Sequence, residues 1–509
     1  MDKYDKELFN KLFSKECKSV DEKEKSRIKR LYKEAIESKN LTNPIVELFR
    51  YLLKSKCPPA KFGIPKEELQ ALALKHMSID EHRVSVGGRV LRALSIVEEA
   101  NKRVKDYLES KDKEVKSGIE LWDKILENQA RIKRILNISD SEWDSYDGQI
   151  RNAIDSVEKL AKILDLNEKM IRDISRVTKH YRMRISPYYA SLMMPGEIND
   201  PILLQSVPTG EMIDNAGIEI EPVAADHSPA RLIDQFYPRV LSVKVTNMCA
   251  MYCTHCLRIA HIGTKDRIYS NNTYNEALDY IRKNKNIRDV LITGGDALVL
   301  SNAKLKFLLD ELDKIEHVKV KRVGTRIPIT SPQRIDDELL EILEKSNDKK
   351  PIRIVTQINT AREITPVTRE TFKKLNRVTS AILNQAVLLR GINDTKAKMW
   401  KLCEVVHENY VRPYYLFNCS YRNPQFAHLR VPIEIGQEIV EGMYGNISGD
   451  AIPRYIATAG GKIPLHRSNI KEKRDNEYIL VKPWSGEEVS YPDMSMQEYK
   501  KPFSFERYL

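Results

Sequence analysis

Between residues 236 and 420, short β-branched runs alternate with amphipathic stretches, a rhythm that points to a parallel sheet covered by helices. VLSVKV (240–245), DVLITG (289–294), VKVKRVGT (318–325), IRIVTQI (352–358), SAILNQAVLL (380–389) and VRPYYLF (411–417) read as strands. NTYNEALDYIRKN, AKLKFLLDELDKI, DDELLEILEKS and TRETFKKLNRV lie between them and space their apolar residues as helices do. Near-continuous apolar strands are buried on both faces, as a parallel sheet requires. Six such units, with no visible seventh or eighth, predict an α/β fold, a partial (β/α)6 barrel or an open sheet, with its chemistry at the C-terminal strand ends.

The flanking sequence divides into three further parts. Residues 1–140 predict a helical N-terminal extension, with VDEKEKSRIKRLYKEAIES and RALSIVEEANKRVKDYLES as amphipathic helices and Pro58-Pro59, Gly63 and Gly87-Gly88 as punctuation. Residues 141–235 predict a helical, then irregular, segment packing on the barrel. Residues 421–509 predict a C-terminal segment with a helix near PIEIGQEIVEGMY and a hairpin, EYILVKPWSGEEVSYP, turning at Ser485-Gly486. No apolar run approaches the roughly 20 residues that span a bilayer, and the start lacks a secretory signal pattern, so the expected location is the cytoplasm. The net charge of +12 raises the question of nucleic acid. Its mixed-sign runs resemble solvated helix faces more than an RNA groove.

Seven cysteines in a chain without a secretory signal argue for thiols and metal ligands over disulfides. Cys17, Cys57, Cys403 and Cys419 are isolated and expected to be buried as small hydrophobes. Cys249, Cys253 and Cys256 are different. They share one loop, VTNMCAMYCTHCLR, directly after the first of the six strands. Three thiolates on a compact loop can ligate three irons of a [4Fe–4S] cube and leave the fourth iron open. A structural zinc site is the alternative, with His255 as the fourth ligand. One βα unit later, DVLITGGDAL places Gly294, Gly295 and Asp296 at a strand end, where glycines let the backbone approach a ligand and a carboxylate or carbonyl can receive an ammonium.

The x3–x2 cysteine spacing followed by Gly-Gly-Asp resembles the radical S-adenosylmethionine (AdoMet) superfamily. Further segments narrow the resemblance to the lysine 2,3-aminomutase family: MRISPYYASLM, NDPILLQSVPT, RVGTRIPITSPQRI, EIT (363–365), LNQAVLLRGINDT, VRPYYLFNC, HLRVPI and GGKIPL, in order from about Trp143 to the end. The resemblance implies a [4Fe–4S] cluster on the three cysteines, AdoMet beside Gly294, Gly295 and Asp296, and pyridoxal 5′-phosphate (PLP) held by Lys462. It also implies Arg258 on the substrate carboxylate and Gln385 near the cofactors. The implied activity is an isomerase reaction, a 2,3-amino shift on a small amino acid, in a homo-oligomer served by an electron donor such as flavodoxin or ferredoxin.

Several positions depart from that pattern. The lysine-specific enzymes read the distal ammonium with two aspartates; here those positions are Ser420 and the acid-free stretch Ile456–Ala459. An unpaired ammonium is costly to bury, so the expected substrate is an amino acid other than lysine. The glutamate-specific branch would place a cationic residue near the first of these positions, and Ser420 is not one; Arg422 lies close enough to keep an acidic or polar substrate in view. Gln357 stands for a family histidine, only two glycines precede Lys462, and Arg239 lacks the neighbouring arginines that grip the PLP phosphate. The alternative expectation is PLP-independent radical chemistry on the same scaffold, acting on a peptide or RNA.

Overall fold

The computed structural model describes residues 21–37, 47–48, 51–52, 59–65, 67–69, 72, 86–164, 166–197, 199–216 and 228–502. Cys17 and Cys57 lie outside these residues. The chain separates into two compact units, Met1–Leu108 and Glu109–Leu509. The smaller contains the helix Glu22–Glu37 and the helix Val86–Arg103, inside which Gly87 and Gly88 sit instead of breaking the chain. The division falls at 108/109 and not near 140. The helix Trp122–Leu136 buries Ile125 and Ile132 in the larger unit's core, beside Tyr188, Leu192 and Leu389. Among the described residues, no helix is long and apolar enough to cross a membrane.

The larger unit is built on nine strands paired in chain order: β1 (Ile233–Tyr237), β2 (Val240–Thr246), β3 (Asp289–Gly294), β4 (Val320–Gly324), β5 (Ile352–Thr356), β6 (Ala381–Leu388), β7 (Arg412–Asn418), β8 (Arg454–Thr458) and β9 (Lys462–Pro464). Pairing from β2 to β8 is parallel, and β1 and β9 close the two ends antiparallel. The six expected strands are β2–β7. The seventh parallel strand, β8, is only five residues long and follows Pro453 at the end of a long crossover containing the helix Ile433–Glu441. The result is a curled, partial TIM-like α/β barrel. A separate antiparallel sheet, β10 (Ile470–Arg474), β11 (Glu477–Val481) and β12 (Glu488–Pro492), follows, with Gly486 in the left-handed region (φ 71°) at its second turn.

Local chemistry starts the crossover helices. Ser270, Ser301, Asp336, Thr365 and Thr395 each cap the helix that follows them, the side chain accepting the N–H three residues on. The sheet's two faces follow from its two-residue period. Val243, Val245 and Ile292 point outward under Tyr274, Leu278 and Leu308. The opposite face carries Ser242, Leu291, Arg322 and Arg353 in one row across β2–β5 by register. Gly324, Val355 and Leu383 form the next row, and Gln385 pairs with Tyr415 beyond them. That concave face is where the functional side chains gather.

Candidate active site

The cysteine loop leaves β2 and is pinned from several directions. Backbone N–H groups of Gly295 and Asp296 donate to the carbonyls of Thr246 (2.6 Å) and Met248 (2.8 Å). Arg184 donates to the Cys249 carbonyl (3.2 Å) and to Asp266 (2.8 Å), and Tyr252 Oη donates to the same Asp266 (2.9 Å). The Thr254 N–H and hydroxyl bond the carbonyls of Gln205 (3.0 Å) and Leu204 (2.9 Å). The segments MRISPYYASLM and NDPILLQSVPT thus hold the loop from outside the barrel. Cys249, Cys253 and Cys256 are all free and half-buried. Burial pushes the Cys249 and Cys256 thiols up, Cys256 to about 12, and the neighbouring sulfurs push the same way. Three thiols on one loop, two of them with ionisation opposed by burial, fit a cationic iron–sulfur centre.

The zinc alternative finds no fourth ligand. His255 turns inward, its Nε2 3.2 Å from Gln357 Oε1 and 3.3 Å from Asn359 Nδ2, and burial lowers its pKa to about 3. Among the described residues, no three His, Cys, Asp or Glu side chains converge on one metal ion. A cube with its irons apart asks its thiolates to stand apart as well.

The glycine pair has a steric origin. Gly294 adopts φ 130°, and a Cβ there would stand 2.2 Å from the Thr246 carbonyl oxygen. At Gly295 it would meet the Met248 carbonyl oxygen at 2.3 Å. Those obstacles are backbone and cannot swing away. Gly295→Ala is therefore expected to cost about 1–3 kcal/mol or more by overpacking. It should also displace the cysteine loop, measurable as a lower Tm together with reduced iron content after reconstitution.

Asp296 does not offer a free carboxylate. It is buried and accepts from Leu298 N–H (3.0 Å), Thr325 Oγ1 (2.6 Å) and Arg326 N–H (2.6 Å), with burial raising its pKa. Its place in the structure is to tie the ends of β3 and β4 together. The backbone of Gly294 and Gly295 is what remains to back a ligand. Arg258, half-buried two residues after Cys256, donates through Nη1 to Thr293 Oγ1 (2.6 Å) and to the Gly294 carbonyl (2.9 Å). Among the described residues, its other guanidinium nitrogens make no such bond.

Lys462 opens β9 on the concave face. Its Nζ lies 4.7 Å from the Tyr415 ring centroid and 5.8 Å from that of Phe417. Burial lowers its pKa to about 8, helped by the Arg322 and Arg258 guanidinium groups and opposed by Asp289. The glycines before it also have a reason: Gly460 and Gly461 take φ 65° and 139°, and a Cβ on Gly461 would strike the Trp484 ring at 2.7 Å. The hairpin folds under an aromatic cover, and the Lys462 N–H donates to Tyr237 Oη (2.8 Å). Gln385 stands half-buried beside Tyr415 in the register. Arg258 thus bonds the strand-end glycine and lies near enough to Lys462 to lower its pKa, and Lys462 stands over Tyr415, the register partner of Gln385.

Ser420 is buried and accepts the Arg422 N–H (3.2 Å), and Ile456–Ala459 brings no acid. Arg422 is exposed and turned over Tyr421, at 6.0 Å from the ring centroid, so it does not supply the expected charge. Arg239 is exposed as well. Arg322 is a cation close enough to Lys462 to act on its pKa, and its Nε is bonded to Asp289 (2.7 Å). A further residue that sequence reasoning passed over is Arg326, whose Nη1 donates to Cys253 Sγ at 2.8 Å. It follows the glycine ending β4 in RVGTRIP, a position whose basic residue was the available signal.

Comparison with known proteins agrees with this geometry. The model of the Radical SAM superfamily matches residues 243–400, from β2 through β6. A glutamate 2,3-aminomutase of Clostridioides difficile (strain 630) is 38% identical over 407 residues, covering 79% of this chain and 95% of that protein. An L-lysine 2,3-aminomutase of Clostridium subterminale is 34% identical over 368 residues, covering 71% and 87%. One from Bacillus subtilis (strain 168) is 34% identical over 377 residues, covering 73% and 79%. With the cysteine loop, the strand-end glycines and the inward lysine in register on one partial barrel, the chain belongs to the 2,3-aminomutase family of radical AdoMet enzymes.

Proposed function

We propose that the chain catalyses a 2,3-amino shift on an amino acid whose side chain carries no positive charge, glutamate being the first candidate. In this reading Cys249, Cys253 and Cys256 hold the cluster, the Gly294–Gly295 edge backs AdoMet, and Lys462 holds PLP. When bound, these groups supply a 5′-deoxyadenosyl radical to remove a β-hydrogen and a conjugated ring to spread the unpaired electron while nitrogen moves.

The chain's own residues prepare that chemistry. Lys462 keeps its amine partly neutral: a pKa of about 8 gives roughly 300-fold more neutral amine at pH 7 than an ordinary lysine. Arg258 is held through Nη1, leaving the rest of its fork for a substrate carboxylate. Tyr415 and Phe417 keep water from the lysine. The absence of acids at Ser420 and Ile456–Ala459 and the inward Arg322 guanidinium disfavour an ammonium side chain, in keeping with the glutamate-specific relative. Lys462, inward, half-buried and with its pKa lowered, is the observation that carries the reading.

Two measurements test it. Borohydride treatment of the PLP-loaded protein should fix the cofactor to the peptide containing Lys462, and its attachment elsewhere or nowhere would overturn PLP dependence. Reduced enzyme with AdoMet and single amino acids should give the β-amino product from glutamate and none from lysine; the reverse would overturn the substrate. Arg258→Lys keeps the charge and loses the fork. It is expected to raise KM for the active amino acid by about 10- to 100-fold, as losing hydrogen bonds to a charged group predicts.

A further inference from the structure

We propose that Arg326 is a positioning residue that sets the reduction potential of the cluster through its hydrogen bond to Cys253 Sγ. The proposal rests on the cluster assignment made above for Cys249, Cys253 and Cys256.

Arg326 lies just beyond β4 and is half-buried, its side chain 11% exposed. Its Nη1 reaches Cys253 Sγ at 2.8 Å, and its Nη2 is held on the other side. Nη2 donates to Glu363 Oε1 (2.6 Å), Gln205 Oε1 (3.0 Å) and Tyr189 Oη (3.3 Å). Glu363 is fully buried and held in turn by Tyr189 Oη (2.7 Å) and the N–H groups of Asn359 (2.7 Å) and Thr360 (3.1 Å). The Arg326 backbone is set by its N–H bond to Asp296. The Gly-Gly-Asp carboxylate therefore acts on the cysteine loop through Arg326.

Neutralising Glu363 does not explain this arrangement, because only one edge of the guanidinium faces that carboxylate. The other edge is spent on sulfur, which is a weak acceptor as a thiol and a good one as a thiolate. Three buried polar atoms in the same network, Arg326 Nε, Gln205 Nε2 and His255 Nδ1, have no partner among the described residues. Buried polar atoms without partners are rare in native proteins, and an orphan Nε on the same guanidinium that bonds Cys253 fits a site completed by a sulfide-bearing group. A cluster gains one negative charge on reduction. A fixed cation bonded to a ligand sulfur stabilises the reduced form more than the oxidised form and raises the potential. Burial keeps that effect insensitive to salt.

The test is a redox titration of the anaerobically reconstituted full chain, followed by EPR of the reduced cluster. In Arg326→Gln the reduced-to-oxidised ratio at a fixed potential should fall at least about tenfold, equivalent to a midpoint about 59 mV lower. Arg326→Lys should recover part of the shift by keeping the charge. An iron-loaded Arg326→Gln with the wild-type midpoint overturns the proposal. Because this variant strands Glu363, wild type with 15N-labelled arginine side chains supplies a second reading. Pulsed EPR of its reduced cluster should show a coupled nitrogen that persists in Arg258→Lys, and absence of that coupling also overturns the proposal. A wild-type chain that takes up no cluster overturns the cysteine assignment, and this proposal with it. A wild-type cluster without the shift overturns this proposal alone.

Discussion

Alanine at any one of Cys249, Cys253 or Cys256 will abolish both the cluster absorption and the amino-shift activity, and a triple variant will be no worse than a single one. The three thiols stand on one loop, free and half-buried, and burial opposes the ionisation of Cys249 and Cys256. Losing one ligand leaves a cube held by two, so the remaining sulfurs lose their function together. Residues that act as a unit show this non-additivity, with single losses on the order of 10^6-fold. The folded state should survive, because the loop is pinned by Arg184, Tyr252, Thr254 and the strand-end N–H groups, not by the sulfurs. Iron per chain, circular dichroism and product formation, measured on the same samples, check all three parts.

The second large effect belongs to Lys462. Lys462→Ala should lose covalent PLP and fall to background activity, while keeping the cluster spectrum and the cluster's midpoint. The wild-type pH dependence is equally specific. Burial and two guanidinium groups lower the Lys462 pKa from 10.5 to about 8. The reactive neutral amine thus accumulates as pH rises, and PLP capture should reach half its maximal rate near pH 8 and level off above it. An unperturbed lysine would keep rising toward pH 10.5. The same shift affects stability. Between about pH 8 and 10.5 the unfolded chain holds a proton at this site that the folded chain has lost, so the site's contribution to stability rises with pH across that window. Stopped-flow absorbance of PLP uptake measures the first effect, and denaturant midpoints of wild type against Lys462→Ala measure the second.

Much of the barrel is legible in the residues because β2–β7 are continuous β-branched runs separated by helices with Ser, Thr or Asp caps. Local signals of that kind need no knowledge of partners. β8 escaped because a five-residue strand after Pro453 is too short to show a period, and β1 because it ends a long irregular stretch. The candidate site divides along the same line. Cysteine spacing, the glycine pair and the lysine after it are contiguous motifs. The task of Asp296 is not contiguous: its carboxylate faces Thr325 and Arg326, some thirty positions along, and nothing local shows that it is fully engaged. Arg422 resembled a substrate ligand by proximity in sequence, yet its loop turns it outward over Tyr421. Arg326 is one of 84 lysines and arginines, and its distinction lies in distant residues that close around it.

The nine-stranded sheet does not complete a ring by strand pairing. Its two antiparallel ends, β1 and β9, are bridged where the Lys462 N–H donates to Tyr237 Oη, with Trp484 set edge-on to Tyr237 at 6.2 Å and packed over Gly461. A welded hoop has one circumference, whereas a clasped one can widen when the clasp lets go. Here the clasp is one phenol on one amide, shared with the residue proposed to carry the cofactor. Tyr237→Phe removes that bond beside Lys462, and the drop in Tm of the variant would measure how much the clasp contributes to holding the two ends together.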